Sequence, residues 1–112
     1  MDFEKIFHNN VVVLNVNLSR ATLKEAEEFK NALMGEISSG RKKLVVDLSQ
    51  CEFIDSTFLG SLVVALKKVT ISGGDLRLVG FQPAVSSMFE LTRMYRVFES
   101  FKTQEEAVKS FV

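Results

Sequence analysis

Across 112 residues there is one cysteine, one histidine, one proline, one tyrosine and no tryptophan. The lone Cys51 allows no internal disulfide, so the fold must rest on its own core, and a cytoplasmic setting is the expected one. One histidine and one cysteine without paired ligand spacing assemble no recognisable zinc site, so neither metal nor cofactor is expected. An excess of either charge is missing too. Lys+Arg and Asp+Glu stand at 14 each, which removes the basic field that nucleic acid or an anionic membrane surface would need. No apolar run approaches the length of a membrane span, and the acidic opening MDFEK does not read as a signal peptide, so membrane insertion and export are not expected. What is present is an ordinary globular mix, 46% hydrophobic and 25% charged, enough for one domain over residues 1–112 with a sizeable core.

Residues 3–8 are expected as a short edge strand, and Asn9-Asn10 as the turn after it, because Asn tolerates positive φ. The β-branched run 11–18, with Leu14, Val16 and Leu18 alternating against Asn15 and Asn17, predicts a strand hairpin-paired to the first. Ser19-Arg20 reads as a turn into a helix over about 21–38. There Thr22-x-x-Glu25 has capping-box spacing, and Leu23, Ala26, Phe29, Leu33 and Ile37 form one apolar stripe. A buried strand at 44–48, a polar loop at 49–56 and a helix over 57–72 follow, the last apolar over so wide a surface that it must lie against a sheet. Gly73-Gly74 ends that helix, and 76–80 is a strand parallel to 44–48. Gln82-Pro83 opens a third helix, 97–101 reads as a last short strand, and Thr103-x-x-Glu106 caps a C-terminal helix. The pattern is α/β, a mixed β-sheet of four or five strands with four helices.

The stretch 44–60, LVVDLSQCEFIDSTFLG, gathers the residues with chemistry to offer. Nucleophilic hydrolysis at Ser56 would need His8 as its base, and no Gly-x-Ser-x-Gly elbow surrounds the serine. Asp47 and Asp55 suit solvated or capping roles, Cys51 a small core residue, and Gly73-Gly74 a helix end rather than a phosphate cradle. No enzymatic activity is expected. Phosphorylation asks less, only a presented hydroxyl and a partner that brings the chemistry. A phosphoserine adds a charge of about −1.5 to −2, tolerated at a helix N-terminus but repelled by Asp55 and costly under an apolar partner. The plainer reading of Ser56 is an N-cap, worth roughly 1 kcal/mol.

Residues 44–48 followed by Phe53-Ile54-Asp55-Ser56-Thr57-x-Leu59-Gly60 resemble the signature of STAS domains, the anti-sigma factor antagonists. Ala21-Thr22, Gly73-Gly74, Pro83-Ala84-Val85, Met88-Phe89 and Leu91 resemble the family as well, so the likeness covers nearly the whole chain. It implies a STAS-like fold and a regulatory switch. The chain would bind an anti-sigma factor that is also a serine kinase, releasing a sigma factor, and phosphorylation would end the binding until a phosphatase reset it. Carried over, Ser56 is the phosphoacceptor and Thr57 the lesser candidate. The partner face comprises Asp55, Ser56, Thr57 and Phe58, joined by Ser19, Arg20 and Phe81, with Met88 as a further apolar contact; Phe58, Phe81 and Met88 read equally well as core residues. A weak homodimer also belongs to the expectations. Two positions depart from the family pattern: Phe58 replaces the motif glycine, and Ser19 stands where an Asp is common. The Phe58 departure motivates an alternative, a STAS scaffold or subunit of a larger regulatory or transport complex without phosphate control. A small-ligand sensor at the carboxyl ends of the strands is the third reading.

Overall fold

The computed structural model describes residues 2–111. In chain order the elements are β1 (Phe3–His8), β2 (Val11–Val16), β3 (Arg20–Ala21), α1 (Leu23–Ser38), β4 (Lys43–Asp47), β5 (Phe53–Ile54), α2 (Ser56–Ile71), β6 (Asp75–Val79), α3 (Pro83–Leu91), β7 (Ser100–Phe101) and α4 (Gln104–Lys109). Five strands form the main sheet in the order β1-β2-β4-β6-β7. Only β1 runs antiparallel to its neighbour, closing a hairpin at Asn9 with φ 56°. Helices α1, α2 and α3 carry the chain between successive parallel strands.

The strands' two-residue period sorts the core into two unequal halves. Val12, Leu14, Leu44, Val46, Leu76 and Leu78 point at α1, α2 and α3, and with the helix stripes they make the larger core. Val11, Val13, Val45 and Val79 point the other way, where α4 covers them with Ala107. Strand β2 is therefore apolar on both faces, which explains its unbroken Val-Val-Val-Leu run. The short α4 is held at both ends. Gln104 Nε2 donates to Asn15 Oδ1 and Asp47 Oδ2, each at 2.6 Å, and Arg77 donates to the Ser110 carbonyl at 2.7 Å while lying over the Phe111 ring.

The structure corrects five expectations. The Ser19-Arg20 turn is in part a strand: Arg20–Ala21 pairs in parallel with Phe53–Ile54, inside the stretch expected to be a plain loop. Strand residues are confined to Ser100–Phe101 within 97–101, because a 3₁₀ turn and its cap occupy Met94 to Val97. Asp55, not Ser56, is the N-cap of α2. Leu23 lies outside the buried stripe of α1. Phe58, assigned to the partner face, is fully buried, its ring stacked on Phe29 with centroids 4.2 Å apart. A side chain there has no surface to give a partner. It fills the seam between α1 and α2.

Replacing Phe58 by Gly removes the ring from a filled seam and places a glycine in the first turn of α2. The expected loss is roughly 3–5 kcal/mol, the usual range for emptying a buried aromatic site. Urea unfolding of Phe58→Gly measures it; a loss under about 1 kcal/mol would mean that the helix pair closes over the gap unaided.

Candidate functional site

Two loops leave the carboxyl ends of β2 and β4, and the β3–β5 pair sews them together. The Ser19 carbonyl accepts from the backbone N–H groups of Glu52 and Phe53 at 2.7 and 3.2 Å, and the Ala21 carbonyl from Asp55 at 3.1 Å. Side chains repeat the joint. Ser19 Oγ donates to Glu52 Oε2 at 2.8 Å, and the Arg20 guanidinium lies 4.4 Å above the Phe53 ring. So short a pairing is weak alone, but it sets where the next two helices start.

The Asp55 carboxylate serves the starts of both helices. Its Oδ1 accepts from Phe58 N–H at 2.9 Å, capping α2, and its Oδ2 accepts from Leu23 N–H, also at 2.9 Å, at the first residue of α1. Thr22 completes the α1 cap as a reciprocal box with Glu25, as its spacing predicts. One carboxylate thus satisfies a free N–H at two helix N-termini, where the helix dipoles favour negative charge. Ser56 follows as the first residue of α2 and is exposed, as is Thr57 beside it. Since Asp55 does the capping, the Ser56 hydroxyl is not spent on it.

Of the residues expected on the partner face, Ser19, Arg20, Asp55, Ser56 and Thr57 gather here, all exposed except the half-buried Asp55. Phe58 turns inward. Phe81 is half-buried, stacked on Phe89 at 4.4 Å, and Met88 packs against the same core. Their segment reaches the site through Gly80 and Gln82. Gly80 has φ +73°, and a Cβ there would lie 2.6 Å from Ser49 Cβ, while Gln82 Nε2 donates to the Ser49 carbonyl at 2.8 Å. Only glycine fits so close an approach. Leu23 was missed as a surface residue, since its spacing put it in the stripe. The signal lay in the cap: Thr22 makes Leu23 the first helical residue, and helical side chains lean toward the N-terminus, off the end of the core.

His8 closes β1 opposite Val11, at the far end of the sheet from the loop that carries Ser56. Among the described residues no three His, Cys, Asp or Glu side chains gather to hold a metal ion. A polar cleft of about 160 Å³ at the ends of β2 and β4 is lined by Asn15, Asp47 and Gln104, but these bond to one another. It is smaller than the roughly 300–1,000 Å³ of an ordinary ligand pocket. Cys51 is fully buried, and burial first, then the Asp47 carboxylate, pushes its thiol up to about 12.

The STAS domain family matches residues 2–107. The chain belongs to that family. A Thermotoga maritima relative provisionally named an anti-sigma factor antagonist is 32% identical over 102 residues, 90% of this chain and 89% of its own. A crystal structure of such a protein from the same organism superimposes with a TM-score of 0.90 at 31% identity, over 96% of this chain and 92% of the other. The Bacillus cell fate determinant SpoIIAA in its phosphorylated form has a TM-score of 0.77 at 16% identity, over 98% and 99% of the two chains, a likeness of fold. This STAS domain has no helix, among the described residues, long and apolar enough to cross a membrane.

Asp55→Ala removes the acceptor from both helix starts and should cost about 1–3 kcal/mol, more than a single cap. Asp55→Asn keeps an acceptor and should cost less; equal losses in chemical denaturation would show that the double cap is not what Asp55 contributes. For Cys51 the folded thiol keeps its proton to about 12, while the unfolded chain loses it from the ordinary thiol range upward. Folding stability should therefore fall as pH rises through that window, by up to about 1.4 kcal/mol per unit. Cys51→Ala should flatten that slope, and parallel curves for the two proteins would refute the assignment.

Proposed function

We propose that this STAS domain is an anti-sigma factor antagonist switched by phosphorylation at Ser56. It binds an anti-sigma factor that is also a serine kinase, so that a sigma factor is released. Phosphate on Ser56 ends the association, and a phosphatase restores it. The protein works by binding, in the cytoplasm, and needs no cofactor. The observation that carries the reading is the exposed Ser56 hydroxyl at the first position of α2, left free because Asp55 caps the helix. The names of its relatives support it, and so does the fold shared with SpoIIAA, a protein whose structure is solved in a phosphorylated form. Thr57 is exposed next door and remains the lesser acceptor.

The energetics favour a switch in binding. A phosphoserine brings about −1.5 to −2 charges. Within the domain those charges meet the favourable start of α2 and the unfavourable Asp55 carboxylate, two effects of opposite sign. Under a partner the same charges must be desolvated, and every ~1.4 kcal/mol left uncompensated costs tenfold in affinity. The scaffold reading drew on Phe58 as a bulky group beside the acceptor. With that ring buried against Phe29, nothing bulky from position 58 stands in a kinase's way.

Incubation with the cognate kinase and ATP should add one phosphoryl group by intact mass, and Ser56→Ala should abolish the gain. Ser56→Ala should still bind the unmodified chain's partner with near-normal affinity, whereas Ser56→Asp should bind at least tenfold more weakly. A mass gain surviving in Ser56→Ala, or one affinity for both variants, would overturn the assignment.

A further inference from the structure

Four members of the α1 stripe, Ala26, Phe29, Leu33 and Ile37, are buried, yet Leu23 at the same spacing is 69% exposed. Nothing in the fold asks for a leucine there. Its backbone N–H is bonded to Asp55 through an atom every residue but proline carries, and its side chain adds little to the core. A polar residue at a first helical position would cost nothing and gain hydration.

Its position gives the leucine a use. Asp55 Oδ2 holds Leu23 N–H, while Oδ1 of the same carboxylate holds the first turn of α2, on which Ser56 stands exposed. The backbones that carry the isobutyl group and the acceptor hydroxyl are thus held relative to each other before any partner arrives, which leaves mainly side-chain ordering for binding to impose. The surface of these segments is polar: Arg20, Lys24, Ser56 and Thr57 are exposed, and so are Glu27, which pairs with Lys30, and Glu52, which accepts from Ser19. An apolar side chain ringed by polar groups has the layout of an interface, an apolar centre within a polar rim. Neither Arg20 nor Lys24 forms an ion pair among the described residues.

We infer that Leu23 is the apolar anchor by which the phosphorylating partner grips this protein. The partner is a protein whose contact surface offers an apolar pocket with an acidic rim next to its phosphoryl-donor site. The inference rests on the proposed function and adds to it a specificity-determining residue on α1, outside the Asp55-Ser56-Thr57 motif. The kinase recognises the acceptor from the neighbouring helix and reads the serine second.

Titration of the anti-sigma factor kinase that binds the unmodified protein separates the possibilities. Leu23→Ala should weaken binding about 10- to 30-fold, the effect of removing an anchor, and Leu23→Met should recover most of it. Ile71→Ala serves as the control, since Ile71 is 85% exposed at the opposite end of α2 and should bind unchanged. Both alanine variants should melt within about 2 °C of the parent, because neither side chain is buried. Charge is tested by Arg20→Gln with Lys24→Gln, which should slow association and flatten its dependence on salt. If the parent binds the kinase and Leu23→Ala binds equally well, the anchor is refuted while the phosphorylation switch stands. If the parent binds no anti-sigma factor kinase, the functional reading fails and the anchor falls with it. An unchanged salt dependence in the double variant would remove the acidic rim.

Discussion

The carboxylate of Asp55 is the one group on which the rest of the site depends. A helix start leaves N–H groups without partners, and two starts brought together double the need. Here one side chain contributes to both, with Oδ1 on Phe58 N–H and Oδ2 on Leu23 N–H, beside the Thr22–Glu25 box at α1. The arrangement holds because β3 and β5 bring the loops after β2 and β4 into register, and because Phe58 and Phe29 stack just behind it. Local hydrogen bonding and core packing thus support the same geometry, and the hydroxyl of Ser56 is left over.

That economy bears on the departures from the family pattern. At position 58 the ring fills the seam between α1 and α2 and stacks on Phe29. Ser61 Oγ, one turn on, spans the same seam to the Ala26 carbonyl at 3.4 Å. The substitution is absorbed within the helix pair and leaves the outer surface to Ser56, Thr57 and Leu23. Ser19, at the other departure, ties its hydroxyl to Glu52, so a carboxylate from β5's approach stands near where an Asp is common.

Most of the architecture was legible because its signals are periodic. The strand runs, the stripes of α1 and α2, the parallel pairing of β4 with β6 and both Thr-led helix starts follow from spacing alone. What escaped is pairwise. Two-residue strands such as Arg20–Ala21 and Phe53–Ile54 carry no period, and their pairing exists only once the sheet has set their separation. Whether Phe58 faced in or out depended on Phe29, nearly thirty residues earlier, and Asp55's second bond depended on where α1 begins. Leu23 shows the limit of the stripe as a rule, since periodicity says which way a residue faces and the end of a helix says whether anything is there to meet it.

The division of labour between the two faces of the sheet keeps the surface around Ser56 apart from both cores. The larger core, under α1, α2 and α3, is closed by apolar side chains well behind the loops. The face under α4 is closed by Val11, Val13, Val45, Val79 and Ala107 and latched by Gln104 and Arg77, none of which bonds to Asp55 or Ser56. A charge placed on Ser56 therefore acts on a rim of polar groups that already face water. Its cost falls on whatever covers that rim, since an uncovered phosphate stays hydrated and a covered one does not. On the proposed function this asymmetry is the switch itself: modification leaves the folded domain close to its former stability and moves its free-energy penalty onto the bound state.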